Sequence, residues 1–268
     1  MLVDRLGISE RRACLICGQH RSTQRHEALR TDTDRELRLR LRGLSREHPR
    51  WGYRRACRYL RSHGLLVNHK RVQRVWREEG LRVPPVRRKR RRVGASTAGL
   101  VHFRAAWPDQ VWSLDFQFDV TTDGRWFKIL NVMDEHTREF LATRVARSID
   151  SDGIVAVLDE VALRRGCHPD FVRMDNGPEM TADALRDWCR QTRTGAFFIE
   201  PGSPWQNPFI ESLGARLRDE VLAVEIFDSL LEAQVLIEDW RGIYNHHHPH
   251  SSLGWKTPAG YAASIRRP

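Results

Sequence analysis

The sequence contains no run of about 18 apolar residues, so a membrane-spanning helix is not expected. It does not open on an apolar stretch either. Asp4, Arg5 and Arg11 stand where a secretory signal needs hydrophobic residues, which argues for a cytoplasmic protein. Cysteine is scarce. The five residues are scattered and odd in number, which excludes a disulfide framework and fits a reducing compartment. Cys14 and Cys17, followed by His20 and His26, are spaced too irregularly to read as a zinc module.

Acidic residues are lacking in one part only. Residues 1–106 carry 28 Lys and Arg against 9 Asp and Glu, whereas residues 107–268 carry 17 against 25. The net charge of +11 and pI near 10.2 point to a polyanionic partner. A basic front part joined to an acidic back part suggests a polyanion-holding module attached to one that needs carboxylates. With 40% hydrophobic and 29% charged residues, the composition is that of a globular protein.

Residues 33–80 read as three helices. The first is capped by Thr33 and runs to about Glu47, with Leu37, Leu41 and Leu44 on its core face; His48-Pro49 ends it. The second spans Tyr53–Ser62 and stops at Gly64. Asn68 caps the third, which buries Val72, Val75 and Trp76 and stops at Gly80. Its other side offers Lys70, Arg71, Gln73, Arg74 and Arg77, as a helix-turn-helix reading DNA would; a solvated charged helix is the alternative. A shorter helical pair is expected between Ser9 and Arg25. The basic run containing Arg87, Arg88, Lys89 and Arg90 reads as a linker, lying along phosphates or serving as a solvated tether.

From Trp107 the pattern becomes that of strands. Trp112, Leu114, Phe116 and Phe118 alternate with Ser113, Asp115, Gln117 and Asp119, the period of a half-buried strand. Asp123-Gly124 predicts a two-residue hairpin with positive φ at both positions. Strands then follow over Trp126–Asp134 and Glu139–Val145, a helix over 151–166, a strand over Phe171–Asp175, a helix over Thr181–Thr192 and a strand over Ala196–Glu200. Pro201 to Gln206 reads as a loop, and Asn207-Pro208 as a helix start with Asn as cap. The expected class is α/β: a mixed sheet with flanking helices, preceded by a small all-α domain. The expected domains are a helical segment at 1–32, a helix-turn-helix at 33–82, a basic linker at 83–106 and a catalytic core at 107–268.

Three acids stand out by position. Asp115 lies mid-strand, Asp175 ends a short strand, and Glu211 sits in the first turn of the helix after Asn207-Pro208. Such a set suits a pair of divalent ions about 3.5–4 Å apart. Asp119 and Asp134 are decoys of the same kind.

Thirty-five residues separate Asp175 from Glu211. That spacing, Asp-Asn-Gly-Pro-Glu at 175–179, Pro-Gly-Ser-Pro-Trp-Gln-Asn at 201–207 and Glu211-Ser212-Leu213 resemble the insertion-sequence-three transposases, specifically their second-frame product. Tyr244-Asn245, Pro249 to Gly254, Thr257-Pro258, His48 to Arg55 and Asn68 to Leu81 extend the resemblance over nearly the whole chain. It implies a ribonuclease H-like core that cuts and joins DNA by a copy-out, paste-in route. Asp115, Asp175 and Glu211 would be the metal ligands, for two Mg2+ or Mn2+ ions. It also implies DNA as partner (element ends and target), a homo-oligomer on DNA, a first-frame partner or frameshift fusion, no membrane, and a bacterial cytoplasmic location at the nucleoid. Arg218, seven residues beyond Glu211, matches a basic position of the group and shares a helix face with it; it would hold a phosphate or be a plain surface charge. The sequence departs from the group at Met180 (usually aromatic), Leu213-Gly214 (usually Phe-Asn) and His248 (usually Arg). His246, His247, His248 and His250 read as part of the Tyr-Asn…Pro-His motif, with structural or DNA-contacting roles. Trp205, Gln206 and Asn207 either position DNA or fix the helix entry. The competing reading is a decayed or repurposed DNA-binding protein, which would keep the basic part and lose the chemistry; the three intact acids favour the enzyme.

Overall fold

The computed structural model describes residues 7–25, 34–81, 103–199 and 206–265. The basic run at 87–90, the expected cap Thr33, Glu200 and Trp205 lie outside them. Residues 1–40 and 41–268 form two compact units.

In the first unit, α1 (Glu10–Ile16) and α2 (Arg21–Gln24) are joined by Arg25 donating to the Glu10 carboxylate at 2.7 and 2.8 Å. The longer α3 (Arg35–Glu47) starts in this unit and ends in the second.

The second unit holds α4 (Tyr53–Ser62) and α5 (His69–Glu78), which pack together through Ala56, Cys57, Leu60, Val72, Val75 and Trp76. Asn68 caps α5 as expected, its Oδ1 accepting from Lys70 N at 2.9 Å. Gly64 (φ +83°) and Gly80 (φ +67°) end the two helices in a conformation that side-chain-bearing residues resist. Between the helices, the Arg61 guanidinium donates to the Val67 carbonyl at 2.6 and 2.9 Å and braces the turn.

The sheet has the order β3-β2-β1-β4-β5, with β1 (Val111–Val120), β2 (Trp126–Asp134), β3 (Phe140–Ala146), β4 (Phe171–Met174) and β5 (Gly195–Phe198). The first three strands form an antiparallel meander; β4 and β5 add in parallel to β1. Between strands run α6 (Ser151–Arg165) and α7 (Asp183–Thr192). After them come α8 (Pro208–Leu217), a π-helical turn (Arg218–Leu222), α9 (Leu230–His247) and α10 (Pro258–Ile265). One face of the sheet packs Trp112, Leu114, Leu130 and Val132 against Ile154, Leu158, Leu185 and Trp188 of α6 and α7. Met180 joins that core as an ordinary packing residue. The other face packs Phe127, Ile129, Met133 and Phe140 against Ile210, Leu213, Ile237 and Trp240 of α8 and α9. Each fully buried aliphatic side chain contributes about 1.5–3 kcal/mol, so both helix layers are strongly held.

Two expectations are corrected here. β1 is not half-buried: helices cover both faces, and Ser113 and Gln117 on its polar face are buried while Phe118 at its end is exposed. The β1–β2 hairpin is not a two-residue turn. Thr121 N donates to Arg125 O (3.1 Å) across a three-residue loop in which Gly124 alone has positive φ (+77°). The Asp123 carboxylate accepts from Thr121 Oγ1 (2.5 Å) and Arg125 N (3.2 Å), which stabilises the longer loop instead. Helix and strand ends otherwise fall within two residues of expectation. Asp150 caps α6 through Gly153 N (2.9 Å), and Gly166 (φ +72°) stops it.

Candidate active site

The parallel pairing of β1 with β4 places Ser113 opposite Arg173. Two residues further along both chains, the same register sets Asp115 level with Asp175, just past the end of β4. Ligand sites in parallel sheets form at these carboxyl ends, where the chain leaves the sheet. The departure is a tight turn: the Asp175 carboxylate accepts from Gly177 N (3.0 Å), and Asn176 Nδ2 donates to Ile199 O (2.7 Å). The last residue of the Asp-Asn-Gly-Pro-Glu stretch, Glu179, pairs with Lys128 of β2, which draws its carboxyl below the usual range.

Glu211 is exposed in the first turn of α8, which lies across β1. Gln117 Nε2 donates to Gly214 O at 2.9 Å, and a Cβ at Gly214 would come within 3.2 Å of the Gln117 amide. The glycine that departs from the family pattern therefore allows the helix to approach the strand closely. Asn207 precedes α8 but its side chain does not cap the helix, contrary to expectation. The buried amide points at the sheet, 3.4 Å from Leu114 O, and its Oδ1 has no partner among the described residues.

The electrostatics link Asp115 to the other two acids. Asp115 is pushed up from 3.8 to about 7, first by burial and then by the negative charges of Asp175 and Glu211. Partial desolvation against the sheet also raises Glu211, although the residue is largely exposed. An acid raised by burial and by two neighbouring negative charges at the carboxyl ends of the strands is a poor arrangement for a bare protein and a suitable one for hard divalent cations. The donor set is all oxygen, which suits Mg2+ or Mn2+.

Both decoys have structural duties. Asp134 is fully buried, accepts from Thr137 Oγ1 (2.6 Å) and His136 N (3.0 Å), and lies 3.7 Å from Arg165. Asp119 accepts from Val120 N at 2.8 Å. Of the expected DNA-contacting residues, Lys70, Arg74 and Arg77 are exposed on α5, whereas Arg71 and Gln73 are half-buried. Arg74 also pairs with Glu78 at 2.8 Å. Arg218 is exposed and follows the last residue of α8 in αR conformation (φ −61°, ψ −47°), where the chain passes into the π-helical turn.

Sequence reasoning missed the polar floor of the site. Asn131, opposite Asp115 in the β1–β2 register, is fully buried and donates to Gln117 Oε1 at 3.1 Å. The available signal was a lone amide inside the apolar run Ile129-Leu130-Asn131-Val132-Met133.

A mixed five-stranded sheet with this strand order, carrying three carboxylates on β1, beyond β4 and on the crossing helix, defines a ribonuclease H-like polynucleotidyl transferase of the integrase-core class. Two models described as "Integrase core domain" match residues 105–204 and 192–258, and one described as "HTH-like domain" matches 32–90. Insertion element IS476 of Xanthomonas euvesicatoria encodes a 39.2 kDa protein 40% identical over 99% of this chain and 75% of its own length. A 31.7 kDa protein of IS407 from Burkholderia multivorans is 37% identical over 98% and 94%. The Escherichia coli transposase InsD of IS2 is 28% identical over 85% and 78%. In fold, the chain resembles a component of the simian T-cell lymphotropic virus intasome, with a TM-score of 0.51 at 14% identity over 79% of this chain and 72% of that one. The chain belongs to the insertion-sequence-three family of transposases, as the second-frame product. It is accordingly a DNA-binding transposase of a typically metal-dependent family, and no helix among the described residues is long and apolar enough to cross a membrane.

Proposed function

We propose that Asp115, Asp175 and Glu211 are the catalytic residues and hold two divalent ions, at which DNA is nicked at the element ends and the freed 3′-hydroxyl is joined to a new phosphate. The observation that supports this is that Asp115, already raised by burial, is raised further by the negative charges of both Asp175 and Glu211. Bound ions would activate the attacking oxygen and stabilise the leaving one. The chain's own part is positional. Strand β1 holds Asp115 rigidly, the Gly177 turn orients Asp175, and the bond from Gln117 to Gly214 sets the height of Glu211 over the sheet.

The chain is divided in use as well, with a helix-turn-helix at 33–82, a linker at 83–106 and the core at 107–268. Lys70, Arg71, Gln73, Arg74 and Arg77 meet DNA from α5, Arg87 to Arg90 follow phosphates, and Arg218 holds a phosphate beside the metals. Exposure of Lys70, Arg74, Arg77 and Arg218 supports this. The working form is an oligomer on DNA in the bacterial cytoplasm, with a first-frame partner or fusion.

The test is Glu211→Gln, assayed with a labelled element-end duplex in Mg2+ and in Mn2+. Losing a metal ligand should cost more than the roughly 10–100-fold seen for its outer supports, with the melting temperature unchanged. Joined products at wild-type levels would refute the assignment.

A further inference from the structure

A second group of side chains able to ligate a metal is made of His48, Glu220 and His248, none of them among the three acids. His48 directly follows α3, Glu220 sits on the π-helical turn after α8, and His248 directly follows α9. All three are buried: 8%, 9% and 0% exposed. His248 Nε2 is 3.2 Å from Glu220 Oε2, and His48 Nδ1 is 3.6 Å from the same oxygen. The three potential ligand atoms all lie within 4.8 Å of one another. A tetrahedral ion with bonds of 2.0–2.1 Å needs ligand-to-ligand edges of roughly 3.3–3.4 Å, which the two measured separations bracket.

The cluster is unfinished as a hydrogen-bonded network. His48 Nδ1, both ring nitrogens of His248 and Glu220 Oε1 are buried without a hydrogen-bond partner among the described residues; the close His248–Glu220 approach is not aligned as one. Buried polar atoms normally find partners, and four orphans within one three-residue cluster mark a missing species. A cation fits better than water. Among the described residues the buried Glu220 carboxylate accepts one hydrogen bond, from the Trp240 indole Nε1 at 3.1 Å, which leaves a buried acid facing two imidazoles. Two helix C-termini, of α3 and α9, end at the cluster and favour positive charge there.

The surroundings are those of a structural site. Trp51 stacks on His48 (3.9 Å between ring centres), and Trp51, Tyr244 and Trp240 pack around His248 at 5.1–5.9 Å. A cleft of ≈ 370 Å³ reaches His48 and Glu220, and Glu47, Glu225 and Asp239 line it as an acidic entrance.

We propose that His48, Glu220 and His248 bind one divalent transition-metal ion of the zinc type, distinct from the ions of the three acids. Two imidazoles and one carboxylate select such an ion over Mg2+, which prefers oxygen. It would tie the segment after α3 and the end of α9 to the turn that follows the Glu211 helix, where Arg50 and Asp219 already pair at 2.8 Å.

The experiment uses the full chain, purified without a polyhistidine tag, stripped with chelator and titrated with Co2+. One equivalent should develop the intense visible absorption of tetrahedral Co2+, which six-coordinate ions on carboxylates do not give, and Zn2+ should bleach it. The band should persist in Glu211→Gln and in the double variant His246→Asn/His247→Asn. It should vanish in His248→Arg, which offers Glu220 a permanent cation and no lone pair, with Co2+ affinity down at least about 100-fold. His248→Asn should lose the band as well and decides the matter if the arginine variant does not fold. Absence of the band in the wild-type chain, its survival in both His248 variants, or its loss with His246 and His247 alone would overturn the proposal.

Discussion

Asp115→Asn removes a carboxylate that two neighbouring acids repel while keeping the side chain's shape. In the metal-free wild type, burial and the neighbouring charges raise Asp115 from 3.8 to about 7. A carboxyl whose folded value lies above its unfolded value binds its proton more tightly when folded. Stability is therefore full below the unfolded value, falls as pH rises between about 4 and 7, and levels off above. At about 1.4 kcal/mol per pH unit, the ionised residue costs the fold up to about 4 kcal/mol by pH 8. The variant escapes this cost. In urea denaturation with EDTA, Asp115→Asn and wild type should differ little at pH 4, and the variant should gain about 1.4 kcal/mol on wild type per unit up to pH 7. Saturating Mg2+ should close the gap at pH 8 by stabilising only the intact carboxylate set. A gap that does not change with pH, or a variant less stable than wild type at pH 8 without metal, would refute the reasoning.

Gly195→Ala would place a Cβ 2.4 Å from the Phe171 ring, which is trapped between Phe103 and Phe197, so calorimetry should show a loss of about 1–3 kcal/mol at the β4–β5 edge. Arg77→Ala, on the exposed side of α5, should weaken binding to all DNA sequences alike and reduce the slope of log affinity against log salt by about one, measured by fluorescence anisotropy.

Much of the local structure was legible in the sequence because its causes are local. Asn68 caps α5, Gly64, Gly80 and Gly166 stop helices, and alternation assigns Trp112 and Leu114 to one face of β1 and Ser113 and Asp115 to the other. The three acids could be picked out as a set, since a strand, a strand end and a helix start are each marked by neighbouring residues. The family, too, was carried by contiguous motifs.

Tertiary structure decided the rest. The polar face of β1 looked solvated until α8, nearly 100 residues later, covered it; Gln117 reaches Gly214 across that distance. Asn207 gave up its capping role because docking α8 on the sheet turned its amide inward. The coupling of Asp115 to Asp175 depends on the β1–β4 register, and its coupling to Glu211 on how α8 lies over it. His48, Glu220 and His248 have no meaningful spacing along the chain, and each sits just after or within an irregular helix end. Only packing could bring them together. Short-range preference sets backbone conformation residue by residue, whereas charge coupling and ligation depend on distances between side chains that the chain order does not encode.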